Sequence, residues 1–91
     1  MSKARRIPVI YKKLAKVWGY AYPDGYIEMD ERAKGKKKLE ILIHETAHLL
    51  WPGDSEEQIE AKAIVLTNTL WHEGARFVDN DNDQKLQDGK K

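Results

Sequence analysis

Apolar and polar residues alternate over two short segments in the first third of the chain. Residues 18–22 (Trp-Gly-Tyr-Ala-Tyr) and 26–30 (Tyr-Ile-Glu-Met-Asp) flank the tripeptide Pro23-Asp24-Gly25, a pattern typical of a β-hairpin. The apolar residues 7–11 suit a third strand, and residues 14–18 either extend it or form a short helical turn. The pattern predicts a small antiparallel sheet of two or three strands.

Helical periodicity replaces this alternation after the basic stretch 34–38. Apolar residues then recur on one face of a helix: Leu39, Leu42, Ile43, Ala47 and Leu50. Trp51-Pro52-Gly53 predicts the end of this helix, because proline cannot continue it and glycine suits a chain reversal. The stretch 34–38 itself is predicted to be a solvated basic loop at the helix start.

A second helix is predicted from about residue 56 to residue 73. Ser55 and Gln58 have the spacing of a capping box at its start, and Gly74 suits its C-terminal cap. Its predicted apolar face comprises Ile59, Ala63, Leu66 and Leu70. Because the connection is short, the helices should pack as an antiparallel pair. The predicted fold is therefore α+β, a small antiparallel sheet packed on a helix pair.

Composition limits the wider possibilities. The 91 residues carry 16 basic and 15 acidic side chains, a net charge of +1 that gives no whole-chain argument for nucleic acid. No apolar stretch approaches the roughly 20 residues of a membrane span, and no signal peptide is recognisable, so we expect a cytoplasmic protein. Residues 1–78 are predicted to form one domain and residues 79–91 a polar, disordered tail.

The stretch His44-Glu45-Thr46-Ala47-His48 carries the candidate chemistry. Side chains four residues apart stack on one helix face, so both imidazoles can reach one tetrahedral metal ion. The chain has no cysteine, so a transition metal must be held by histidine and carboxylate. Glu45 lies beside that metal position and is the candidate general base. His44 and His48 lie away from the centre of the apolar stripe, which indicates a cleft rather than core histidines.

A third protein ligand is expected from the second helix. If the chain reverses near residues 52–53, His44 and His48 face its first two turns, which carry Glu56, Glu57 and Glu60. On a helical wheel Glu56 lies nearest the inward face, Glu60 next, and Glu57 points outward. Glu56 is the favoured ligand and Glu60 a partner for a histidine N–H. The reverse assignment, with Glu60 as the ligand, remains an alternative.

Other candidate residues follow from residue type alone. His72 lies 16 residues beyond Glu56, about 24 Å along a helix, and is expected at the surface near the helix end. Tyr20, Tyr22 and Tyr26 are candidate oxyanion stabilisers by type, although tyrosine is also common on sheet surfaces.

The motif at residues 44–48, followed by an acidic helix, resembles the gluzincin branch of the zincin metallopeptidases. Residues 18–76 are also similar to small minimal zincins that are common in bacteriophages. This resemblance implies a zinc-dependent metallopeptidase with His44, His48 and Glu56 as ligands and a supporting carboxylate at Glu60. Its partner would be a peptide or protein substrate, in the host cytoplasm if the protein is phage-encoded. Only the five-residue motif is highly specific, and the chain lacks the second lobe of well-studied gluzincins.

A second function, from a different class, is also compatible with the sequence. In a domain this small a metal can stabilise the fold, so zinc can be structural in a non-enzymatic binding or regulatory module. The aromatic residues Trp51 and Trp71, together with the basic stretch 34–38, would then form a partner surface.

Overall fold

Residues 6–78, the part of the chain that the computed structural model describes, form three strands and two helices. In chain order these are β1 (Val9–Lys12), β2 (Gly19–Tyr22), β3 (Tyr26–Asp30), α1 (Gly35–Leu50) and α2 (Glu56–His72). The sheet packs on α1 and α1 packs on α2, which confirms the α+β class. The predicted tail, residues 79–91, lies outside the described residues.

The sheet is mixed rather than antiparallel, which corrects the expectation from the sequence. Its strand order is β1-β3-β2, with β2 antiparallel to β3 as the hairpin signal predicts. β1 instead runs parallel to β3, with Val9 opposite Ile27. A hairpin turn specifies its own pairing, but nothing local specifies where an isolated segment such as β1 joins the sheet.

Asp30, at the end of β3, holds the connection between β1 and β2, which must cross the end of β3. Its carboxylate accepts hydrogen bonds from the Leu14 N–H at 3.0 Å and from the Arg32 N–H at 2.9 Å. The Arg32 guanidinium adds contacts of 2.8 and 2.6 Å to the same carboxylate and donates to the Leu14 carbonyl. Asp30 is buried, and these donors satisfy its charge.

The helix ends follow the sequence signals closely. α1 ends at Leu50, immediately before the predicted Trp51-Pro52-Gly53 stop. At the start of α2, Ser55 and Gln58 form the predicted capping box, with bonds of 2.8 and 3.1 Å. Gly74 has a positive φ of 106°, and the bonds from Gly74 N–H to Trp71 O and from Ala75 N–H to Leu70 O complete a Schellman cap. The basic stretch 34–38 is a largely exposed helix start, as predicted, but not a loop, since α1 begins at Gly35.

The core lies mainly between the sheet and α1. The buried apolar residues of the described chain are Ile27, Met29, Ala33, Ile41, Ala47, Ile59 and Ala63. The predicted apolar faces were therefore partly wrong: Leu50, Leu66 and Leu70 are 60%, 40% and 42% exposed. Leu39, Leu42 and Ile43 are only half-buried, and the buried Ile41 was missed. The reason is architectural, because α2 contacts α1 but not the strands, so no third layer covers these leucines.

Neither helix of residues 6–78 combines the length and the apolar composition that crossing a bilayer requires.

Candidate metal centre

α1 presents His44 and His48 on one face, one helical turn apart. Their ring centroids lie 5.0 Å apart in an edge-to-face arrangement, as the four-residue spacing predicts. Their side chains are 20% and 31% exposed, so both imidazoles line an open surface rather than the core. This placement agrees with the expectation that the motif faces a cleft.

Glu56, in the first turn of α2, brings its carboxylate against both imidazoles. Its Oε2 lies 2.9 Å from Nε2 of His44, and its Oε1 lies 3.0 Å from Nε2 of His48. The reversal at residues 51–55 and the capping box at Ser55 fix where α2 begins, and therefore place Glu56 in this position. The carboxylate is 67% exposed, so the site is open to solvent on the side of α2.

The ligand-type atoms of His44, His48 and Glu56 all lie within 4.8 Å of one another, so the three side chains can hold a metal ion. Among the described residues this group consists of His44, His48 and Glu56, and Glu60 is not part of it. It lies one turn further along α2, where it lines a neighbouring cavity of about 350 Å³ together with His44 and Glu45. The supporting role for Glu60 stays a prediction.

Glu45 lies in the wall of the cleft beside the two histidines. Partial burial raises the pKa of its carboxyl group above the ordinary value, while the neighbouring His44 and His48 and the backbone N–H of Ala21 act in the opposite direction. A carboxylate that is partly desolvated yet open to a cleft is a better proton acceptor than a fully solvated one.

The cleft itself has a volume of about 570 Å³ and lies between the helix pair and the edge of the sheet. Its walls are formed by Gly19, Tyr20, Ala21, Pro23, His44, Glu45, His48, Leu49, Pro52 and Glu56. The Asp30 N–H donates to the Trp18 carbonyl at 2.8 Å, which sets the alternation of the β2–β3 ladder. By that alternation Gly19 and Ala21 direct their backbone N–H and C=O groups to the free edge of β2, towards the cleft.

Gly19 was missed by sequence reasoning. A Cβ atom at this position would lie 2.7 Å from Cγ2 of Ile41 and 3.3 Å from Cγ of Glu45, so glycine is needed for β2 to approach α1 this closely. Glycine inside a strand pattern is a signal for close backbone approach, and that signal was present in the sequence.

The other candidates lie elsewhere or have other partners. His72 is exposed at the end of α2, as expected. Tyr22 donates its hydroxyl to Glu28 Oε1 at 2.9 Å, a bond that raises the pKa of the Tyr22 phenol. Tyr26 stacks on Tyr22, with ring centroids 4.5 Å apart. Tyr20 is the one of the three tyrosines that lines the cleft.

Comparisons with protein-family profiles, with curated proteins and with solved structures find no match for this chain.

Proposed function

We propose that this protein is a zinc-dependent metallopeptidase. The observation that carries the proposal is the convergence of His44, His48 and Glu56 from two helices at the wall of a cleft that also contains Glu45. Three protein ligands and an open side are the arrangement of catalytic zinc sites, whereas structural sites are usually closed by a fourth ligand.

The donor set supports zinc as the metal. Two imidazole nitrogens and one carboxylate oxygen suit this borderline-soft ion, and the chain offers no thiolate. Both histidines present Nε2 to the shared position, which leaves Nδ1 of each ring for an orienting partner. A zinc ion held here would supply Lewis acidity and a bound water of lowered pKa, near 7.

Glu45 supplies the base in this proposal. Its carboxylate, with a pKa raised by partial burial, accepts a proton from water in the cleft and returns it to the nitrogen of the leaving amine. No tyrosine is assigned to the carbonyl oxygen of the substrate, because the Tyr20 ring packs against Tyr22 at a centroid distance of 4.9 Å, on the face of the sheet opposite to the core.

The peptide substrate would bind in extended form along β2. This strand lies at an edge of the sheet and directs the backbone groups of Gly19 and the carbonyl of Ala21 to the cleft, whereas the Ala21 N–H already donates to Glu45. Strand addition supplies main-chain hydrogen bonds that do not depend on the side chains of the substrate. This geometry favours a peptide over a small molecule as the substrate.

Two measurements on the full chain test the proposal. Elemental analysis of protein purified without added metal is expected to find one zinc per chain, and the zinc-loaded protein is expected to cleave members of a peptide library. Chelation should abolish the cleavage, and added zinc should restore it. Protein that neither retains nor rebinds zinc would disprove the metal site, and zinc-loaded protein that cleaves no peptide would disprove the peptidase.

A structural role for zinc is the second candidate function, and one feature of the fold favours it. α2 packs on α1 alone, so an ion shared by His44, His48 and Glu56 would link the two helices. In this case the protein is a zinc-stabilised binding or regulatory module, and chelation should unfold it. Circular dichroism melts with and without chelator distinguish the two roles.

A further inference from the structure

The charges of this protein are separated along the chain in a way that the net charge of +1 conceals. Residues 6–38 contain nine Lys and Arg against four Asp and Glu, whereas residues 39–78 contain two against seven. Such a charge asymmetry between two parts of a chain indicates a polyanion partner. The net charge of the whole chain does not reveal this, because the acidic part cancels the basic part.

The fold gathers part of the positive charge at the start of α1. Because the helices are antiparallel, the end of α2 and the residues after it lie at the same place. We call this region the basic end, and it comprises Lys34, Lys36, Lys37, Lys38 and Arg76. A cavity of about 160 Å³ lies within it, and none of its lining residues is acidic. Lys37 also lines a neighbouring cavity with Glu40, Glu45 and Glu60. Glu40, on α1, and Glu73, directly after α2, leave the cluster of five cations net positive.

Aromatic rings hold two of these cations in position. The Arg76 guanidinium lies 3.6 Å from the centroid of the Trp71 ring, and Nζ of Lys38 lies 4.2 Å from the centroid of Phe77. Nζ of Lys38 also lies 5.0 Å from the centroid of Tyr11, on β1. A cation–π contact fixes a cation without neutralising it, so the charge remains available to a ligand.

Carboxylates do not neutralise the basic end within residues 6–78. The lysine and arginine ion pairs found there use other cations, namely Lys12 with Glu28, Arg32 with Asp30, and Lys62 with Asp54. The opposite end of the helix pair carries the acidic residues Asp54, Glu56, Glu57 and Glu60. An extended polyanion would therefore be attracted to one end of the molecule and repelled by the other.

We propose that the basic end binds the phosphate backbone of nucleic acid, independently of sequence. Phosphate contacts from lysine and arginine supply most of the affinity in sequence-independent binding. Trp71 and Phe77 each use one face to contact a cation of the basic end, so their role in this mode is to position charge, and a duplex, with two phosphate backbones, is the preferred ligand. This proposal does not depend on the metallopeptidase function, because the basic end and the metal site share no residue.

Fluorescence anisotropy of the full chain with a labelled DNA duplex of about 20 base pairs tests the proposal, at salt from about 50 to 200 mM. In the triple variant Lys34→Gln, Lys36→Gln, Lys37→Gln, the Kd at the lowest salt should rise at least about tenfold, and the salt slope should fall by about two to three. These lysines are exposed, and their loss from a helix start should not destabilise α1. A melting curve checks this.

The matched control is Lys13→Gln, Lys16→Gln, Lys62→Gln, which removes the same charge from described residues that are not part of the basic end. It should change the Kd by less than about threefold, since all five cations of the basic end remain in this variant. Equal losses in the two variants would overturn the proposal, as would absence of duplex binding by the wild type. Tighter binding of a polyglutamate peptide than of the duplex would also overturn it and indicate an acidic protein partner. A single strand of the same length should bind more weakly than the duplex, and tighter binding of the single strand would overturn the preference for a duplex.

Discussion

Gly19 and Ile41 set the distance between the sheet and α1, because a methyl group at Gly19 would lie 2.7 Å from Cγ2 of the buried Ile41. The Ile41 methyl is attached to a branched, buried side chain and cannot move aside without disturbing the core. The contact also positions the cleft, because Gly19 and Glu45 both line it.

Gly19→Ala is therefore expected to lower the free energy of unfolding by about 1–3 kcal/mol, the usual cost of overpacking. The matched control is Gly53→Ala, because a Cβ at Gly53 meets no atom within 4 Å and should be nearly neutral. Urea unfolding of the two variants measures the difference. Equal stability of Gly19→Ala and wild type would show that β2 can shift away from α1 at no cost.

Replacing the Glu56 carboxylate with an amide should weaken zinc binding more than the same replacement at Glu60 or Glu57. Glu56 contacts both histidines directly, so Glu56→Gln should cost more than the 10–100-fold typical of a supporting residue. Glu60→Gln should fall within that range, and Glu57→Gln, an exposed neighbour, should have no effect. Competition titration against a zinc-binding dye gives the three affinities. A larger loss at Glu60 than at Glu56 would exchange their roles.

Glu45→Gln separates binding of the metal from catalysis. The amide has nearly the same shape and leaves the three ligands intact, but it cannot accept a proton. We expect full zinc content and a loss of peptide cleavage by about 10²–10⁴-fold, the range for a general base. Glu40→Gln, on the same helix, serves as the control and should retain activity. Unchanged activity in Glu45→Gln would remove Glu45 from the mechanism.

Chelation of the metal should lower the melting temperature without unfolding the protein. The residues Ile27, Met29 and Ile41 form a core between the sheet and α1 in which the metal ligands take no part. The loss of stability on chelation is expected mainly in α2, because this helix contacts α1 alone. Circular dichroism should show a lower melting temperature, with most of the helical signal retained well below it. Complete unfolding on chelation would favour the structural role for zinc.

Asp30 should make the stability dependent on pH in the acidic range. Hydrogen bonds from Arg32, supported by the Leu14 N–H, hold the pKa of the Asp30 carboxyl well below its usual range. A lowered folded-state pKa stabilises the protein above the unfolded-state value of about 4, and this contribution is lost as pH falls below it. Asp30→Asn should therefore be less stable than wild type at neutral pH, and the gap should narrow below about pH 4. Urea unfolding across this range measures the gap, and a constant gap would contradict the assignment.

The local part of this fold was predictable from sequence, and the non-local part was not. The capping box at Ser55 and the glycine cap at Gly74 each depend on a few adjacent residues, and both are present as predicted. The meeting of the 44–48 motif with Glu56 followed from helix geometry and a short connection. The parallel pairing of β1 and the exposure of Leu66 and Leu70 depend on which layers meet, and local patterns do not specify that.

The strand order β1-β3-β2 has a consequence for synthesis of the chain. β3 is the central strand, yet it is the last of the three to leave the ribosome, so β1 has no partner until residue 30 has emerged. The β2–β3 hairpin, with its short turn, can close first, and β1 then joins across a gap of more than a dozen residues. Until that moment the nascent chain carries an unpaired β1 with Ile10 and Tyr11 exposed, the stage at which strand edges are most open to aggregation.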